Sequence, residues 1–293
     1  MTDWDTIAAA IDTATQLRFQ LKNHTATGGG WINQTCRIDG QDGRNFFVKL
    51  NSSENIAMFC AEAAGLTEIA ATHTVHVPKP IAYGIAGRQC YLVMEHLDLT
   101  GHGDGHLLGK QLAALHHCSA KQFGFTQDNF IGSTPQQNNW SDDWVYFWRQ
   151  RRLGYQLQLA SENGYGNKLG DLGMKLLETI PDYFDGYSPQ PVLLHGDLWG
   201  GNHAYLADGT PAIFDPAVYY GDREADIAMT ELFGGFSADF RNSYRSAYPL
   251  HEGYAKRRNL YNLYHILNHA NMFGGSYISQ AEGMMRSLLS VIH

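Results

Sequence analysis

Apolar residues fall at Trp4, Ile7, Ala8 and Ile11, the spacing of a helix that buries one face, and predict a helix over residues 4–15. Gly28-Gly29-Gly30 then interrupts the pattern. Residues 31–38 and 45–50 read as short strands, the second carrying the strand formers Phe46, Phe47 and Val48. An alanine-rich stretch over 55–71 reads as a helix. Val77, Pro78 and Pro80 make an extended break, and 81–85 and 91–94 read as two more strands joined by a turn at Ala86-Gly87-Arg88. Residues 1–97 therefore predict a small β-rich lobe with one main helix. Beyond them the period changes: helices are predicted over 106–118, 140–163, 169–180 and 254–273. Two short apolar runs within 191–214 predict a β-hairpin inside this helical part, and the glycine-rich stretch 97–105 is the expected exit from the first lobe. The expected fold class is α+β, with two lobes divided as 1–97 and 98–293.

Composition narrows the class of protein. Of 293 residues, 44% are hydrophobic and 17% charged, a globular balance rather than a disordered one. No apolar run reaches the length of a membrane helix, and acids stand near the start where a secretory leader would carry bases. A net charge of −8 argues against a phosphate backbone as partner, so neither nucleic acid nor membrane is expected. Cys36, Cys60, Cys90 and Cys118 stand apart, without metal-type spacing. They read as reduced thiols of a cytoplasmic protein, with Cys36 placed near the glycine triplet, where an oxidisable thiol could matter. The sequence carries no signal for an oligomeric state.

The chemistry concentrates in His195-Gly196-Asp197-Leu198-Trp199-Gly200-Gly201-Asn202. Asp197 and Asn202 have the Asp-x-x-x-x-Asn spacing of a kinase catalytic loop, with Gly196 in place of the usual arginine. Phosphoryl transfer needs a carboxylate beside the attacking hydroxyl, a part suited to Asp197, and oxygen ligands for Mg²⁺, to which Asn202 can contribute. Ile213-Phe214-Asp215-Pro216 follows. An acid after a short apolar strand, here Asp215, is where a kinase carries its main metal ligand. Asp, Gly and Asn are also ordinary turn residues; it is the order and spacing of both motifs together that points to a kinase. Lys49 ends an apolar strand between the glycine triplet and a helix bearing Glu62, which suits a phosphate-binding lysine paired with a helical acid. Gly28, Gly29 and Gly30 could bring backbone amides close to phosphates or could be a plain turn. The strand running into Met94-Glu95-His96-Leu97 fits a hinge whose backbone, at Glu95 and Leu97, meets adenine, with Met94 beside it. A Walker loop is absent: near Gly109-Lys110-Gln111 the first glycine is replaced by Asp104. His116-His117 and His102 with His106 read as helix-surface or loop residues rather than metal ligands.

Gly28-Gly29-Gly30-Trp31-Ile32-Asn33-Gln34, the hinge, Ile131-Gly132-Ser133-Thr134-Pro135-Gln136, the run from His195 to Asn202, Gly221-Asp222-Arg223-Glu224-Ala225-Asp226 and Leu232-Phe233-Gly234-Gly235-Phe236 span most of the chain. Together they make the sequence resemble the fructosamine kinase (ketosamine kinase) family, relatives of the aminoglycoside phosphotransferases within the protein-kinase-like superfamily. Trp31 departs from the smaller residue usual after the glycines. The resemblance implies ATP and Mg²⁺ as cofactors and a small ketosamine or glycated lysine or protein as partner, phosphorylated at O3 of the sugar. In that reading Asp197 is the base, Lys49 with Glu62 orients the phosphates, and Asn202 and Asp215 hold the metal. Trp199 either walls the sugar or packs in the core, Gln136 is a candidate substrate contact, and His195 and Asp226 brace the loop. A kinase for another amine-bearing molecule, of aminoglycoside or choline type, and a non-catalytic nucleotide-binding module are the alternatives.

Overall fold

The computed structural model describes residues 2–28 and 32–292, so Gly29, Gly30 and Trp31 lie outside the described residues. The chain forms two compact units, 1–104 with 203–216, and 105–202 with 217–293.

The first unit is built on a five-stranded antiparallel sheet in the order Leu21–Ala26, Gln34–Gly40, Asn45–Ser52, Gln89–Glu95 and Pro80–Ala86. Its central strands alternate as the sequence pattern implies: Phe46, Val48 and Leu50 point into one buried layer with Ile38, Tyr91 and Val93. The helix Trp4–Thr15 covers that layer with Ile7 and Ile11, both fully buried. Asp3 caps its first turn by accepting from the Thr6 amide. Cys36 belongs to the same core, and burial pushes its thiol up to about 11. The thiolate that oxidation requires is therefore scarce at neutral pH, against the idea of a reactive Cys36. The helix Ile56–Ala71 follows the strand that ends at Ser52, after a short 3₁₀ turn. The hairpin formed by His203–Leu206 and Pro211–Ile213 also belongs to this unit, where Leu99–Thr100 adds a third strand.

The second unit is mostly helical. Helices Gly105–Leu115 and Ala238–Ala247 pack so closely that a Cβ on Gly109 would lie 2.4 Å from the Phe240 carbonyl oxygen. The predicted helix over 140–163 is divided: it begins at Trp144 behind the Asp143 cap and passes through a π-helical segment, Trp148–Gly154, before Tyr155–Glu162. Trp140, expected inside it, is exposed outside it. Tyr254–Phe273 is a helix with both bounds as read from sequence, nearly continuous in its buried residues from Leu260 to Asn268. The single hairpin expected within 191–214 is replaced by two pairings. Val192–Leu194 pairs with Tyr219–Gly221, and His203–Leu206 pairs with Pro211–Ile213. No helix among the described residues is long and apolar enough to cross a membrane.

Candidate active site

In the first unit the strand Asn45–Ser52 carries Lys49 inward, between Thr35 and Leu92 on the neighbouring strands. The ammonium is buried at 5% exposure. Its Nζ donates to Glu62 Oε1 and to Asp215 Oδ1, each at 2.6 Å. Burial alone would lower the lysine's pKa, but the carboxylates of Asp215 and Glu62 outweigh it and hold the ammonium charged, above the ordinary lysine value. Asp215 follows the strand Pro211–Ile213 in the left-handed backbone region, at φ 57°. Its side chain remains about half exposed (48%), so the carboxylate is held by the lysine and still open to solvent. A non-glycine residue in that region is uncommon, and strain of this kind collects at functional positions.

The expected hinge residues sit at the end of the strand Gln89–Glu95. Met94 is buried, the Glu95 amide donates to the Lys79 carbonyl at 2.8 Å, and His96 and Leu97 leave the sheet half-buried. Gly28 ends the described part of the glycine triplet with open space where a Cβ would stand.

In the second unit the loop after Val192–Leu194 carries Asp197 and Asn202. Gly196 adopts φ 82°, and a Cβ there would lie 2.0 Å from the Ala217 carbonyl oxygen. Only glycine fits, which gives a physical reason for the missing arginine. The loop is clamped from beneath by Asp226, whose two carboxylate oxygens accept the amides of His195 (2.7 Å) and Gly196 (2.9 Å). Burial alone would raise Asp226; the hydrogen bond from His116 and the loop amides overcome it and hold the carboxyl below its ordinary value. His116 donates from Nε2 to Asp226 Oδ2 at 3.2 Å and accepts the Tyr244 hydroxyl at Nδ1. Burial keeps this histidine below its ordinary pKa, so it meets Asp226 as a neutral donor. His116 is thus fully buried, not on the helix surface as expected. Its place was legible after all, because Leu108, Leu112 and His116 continue one stripe at a spacing of four.

The Asp197 amide donates to His195 Nδ1 at 3.2 Å, and Asn202 Nδ2 donates to the Asp197 carbonyl at 2.9 Å. The loop is therefore braced at both ends. His265, which the sequence reading missed, lies with Nδ1 3.9 Å from Asp197 Oδ1. Burial and the neighbouring His269 lower it to about 3, so the contact is one of neutral packing rather than an ion pair. Trp199 is 40% exposed and packs edge-on against Phe233 at 6.3 Å, so it is not a core residue. Gln136 is buried with its amide committed: Nε2 donates to Asn129 Oδ1 and the Ala217 carbonyl, and Oε1 accepts from Tyr264. It supports the segment around Ala217, ahead of the strand Tyr219–Gly221, and is not free to touch a substrate.

A carboxylate at Asp215 and an amide oxygen at Asn202 are the donor types of a hard cation. Among the described residues no cluster of three or more His, Cys, Asp or Glu could cage a metal by itself.

The sequence model of the fructosamine kinase family matches residues 3–291. A probable ketoamine kinase of Synechocystis sp. is 46% identical over 98% of this chain and 97% of its own length. The chloroplastic protein-ribulosamine 3-kinase of Arabidopsis thaliana is 42% identical over 93% of this chain and 84% of its own. Among solved structures, a Haemophilus somnus protein designated a fructosamine-3-kinase superposes with a TM-score of 0.90 at 29% identity, covering 98% of each chain. Choline kinase LicA of Streptococcus pneumoniae shares the fold, with a TM-score of 0.66 at 14% identity over 98% of this chain and 99% of its own.

Proposed function

This chain belongs to the fructosamine kinase family, and from that premise we propose that it transfers the γ-phosphoryl group of ATP to O3 of ketosamines such as ribulosamine or fructosamine adducts of lysine. Membership of the family implies ATP use. The observation that carries the reading is the buried Lys49 held by both Glu62 and Asp215, a cation fixed beside an accessible carboxylate.

Phosphoryl transfer passes through a loose transition state, so the protein's work is positioning and charge neutralisation. Lys49, kept charged and aimed by Glu62, orients the α and β phosphates. The hinge backbone at Glu95 and Leu97 takes the adenine, with Met94 and His96 beside it, and Gly28 is the described residue of the glycine triplet that we assign to the phosphates. Asp215 and Asn202 are the ligands we assign to Mg²⁺, which when bound would offset the charge of the phosphates. Asp197 orients the sugar hydroxyl and accepts its proton, and Trp199 offers the sugar a flat face. The division 1–97 for the nucleotide and 98–293 for catalysis and acceptor is part of the same proposal. So is a cytoplasmic setting, which suits four free cysteines.

Release of ADP with ribulosamine-, erythrulosamine- and fructosamine-lysine offered side by side tests the reading. We expect turnover with at least one of them, and loss of about a thousandfold or more in kcat for Asp197→Asn with ATP binding retained. Near-wild-type turnover by that variant would remove Asp197 from the role of base. Turnover only with an aminoglycoside or choline would move the substrate class.

A further inference from the structure

A run of partly exposed rings continues from the catalytic loop. Phe233 stands edge-on to Trp199, His269 lies 5.3 Å from Phe233, and Tyr277 and Phe273 lie 5.0 and 5.7 Å from His269. Trp199, Phe233 and Phe273 are 40%, 42% and 53% exposed. Scattered exposed aromatics are ordinary, but a contiguous exposed patch of them is a mark of binding.

The patch is held in place by backbone, not by chance contact of side chains. Gly235, at φ 96°, lies against Gly200 so closely that a Cβ on it would come within 2.7 Å of the Gly200 Cα. A Cβ on Gly200 would in turn lie 2.8 Å from the Gly234 carbonyl oxygen. This glycine-on-glycine clasp ties the loop bearing Phe233 to the loop bearing Asp197 and Trp199. His269 is fixed as well: its Nδ1 lies 2.7 Å from the His265 carbonyl, which can only accept. Nδ1 therefore donates to it, which sets the orientation of the ring.

We propose that Phe233, with Trp199 on one side and His269 and Tyr277 on the other, forms a subsite for the protonated secondary nitrogen of the ketosamine and the first methylenes of its amine carrier. The inference rests on the functional reading above and adds what recognises the amine. An ammonium is attracted to ring faces, the Asp197 carboxylate two residues before Trp199 adds favourable charge, and the methylenes of a lysine side chain suit an apolar wall. In a ketosamine the reacting oxygen and the nitrogen are separated by only a few bonds, so a base on the loop and a cation subsite beside it serve one molecule. The subsite accepts any primary-amine carrier once the sugar is attached and discriminates against sugars that lack the nitrogen.

The test compares two acceptors with the same sugar: ribulosamine-lysine and its ether analogue, with oxygen in place of the sugar-bearing nitrogen. The readout is the ratio of their kcat/KM values. Wild type should prefer the amine by about tenfold or more, and Phe233→Ala should shrink that ratio at least about threefold, while Phe233→Tyr keeps it. A wild-type enzyme without the preference, or a preference that survives Phe233→Ala, overturns the subsite and leaves the kinase reading standing. If wild type does not turn over ribulosamine-lysine, the same pair is built on erythrulosamine or fructosamine; failure with all three amines overturns the ketosamine reading and the subsite together.

Discussion

At position 196 a single hydrogen atom decides the course of the catalytic loop. The backbone is left-handed there, and the Ala217 carbonyl occupies the space a side chain would need. Ala217 is itself tied down, its amide donating to the His195 carbonyl at 2.8 Å and its own carbonyl accepting from Gln136. The neighbour therefore cannot retreat without breaking two hydrogen bonds. Gly196→Ala should lose about 2 kcal/mol or more of stability in urea unfolding and drop kcat at least about tenfold, because the strain moves Asp197. An alanine variant of wild-type stability and turnover would show that the loop can shift freely and that its geometry does not set catalysis. The sequence makes the glycine visible as a departure from the protein-kinase pattern. Its cause lay in a carbonyl more than twenty residues away, beyond the reach of local reasoning.

Between elements, the decisive meeting point is Asp226 on the helix Glu224–Leu232. It collects two amides from the catalytic loop and the imidazole of His116, which follows directly on the helix Gly105–Leu115. Three segments far apart in sequence are thus fixed by one carboxylate. Asn at this position would turn an amide group toward a backbone N–H and leave a buried donor unpaired. Asp226→Asn is expected to lose roughly 2–3 kcal/mol in denaturant unfolding, and kcat by about tenfold or more, with KM for ATP within about twofold. A large rise in that KM would mean that the brace also serves the nucleotide. Elements with clear periodicity were legible in the chain: the strand Asn45–Ser52, the helix Ile56–Ala71 and the helix Tyr254–Phe273. Leu21–Ala26 was not, because this edge strand is exposed along nearly its whole length and shows no apolar alternation. The strand pairings around the catalytic loop were misread for a different reason. Val192–Leu194 is three residues long, and its partner Tyr219–Gly221 lies beyond an intervening hairpin, so nearest-neighbour pairing gave the wrong partner. Lys49 with Glu62 could be foreseen from spacing, whereas His265 beside Asp197 could not, since a histidine within an apolar helix reads as packing.

Taken over the whole molecule, buried ionisable groups set how stability follows pH. Burial pushes Glu224 up to about 7 despite the bidentate hold of Arg257, with Asp222 adding to the rise. A carboxyl raised in the folded state binds a proton there before it would in the unfolded chain, so its contribution declines as pH rises from about 4.5 to 7. His265 acts in the opposite sense. Its folded value of about 3 lies below the unfolded 6.5, so between those limits the unfolded chain takes up a proton that the folded one refuses. Its contribution is complete above pH 6.5 and is lost progressively as pH falls toward 3. At pH 5 the loss from this one group amounts to roughly 2 kcal/mol. Because Glu224 and His265 oppose one another, the pH profile of the wild-type protein alone does not separate them, but a difference between variants does. His265→Phe keeps an aromatic ring beside Tyr264 and removes the titration, while the Glu224 contribution cancels in the comparison. Urea unfolding at pH 8 and pH 5 should then show the variant gaining roughly 2 kcal/mol relative to wild type on acidification. Parallel pH profiles for the two proteins would mean that water reaches His265 and protonates it in the folded state, and the neutral packing described beside Asp197 would have to be given up.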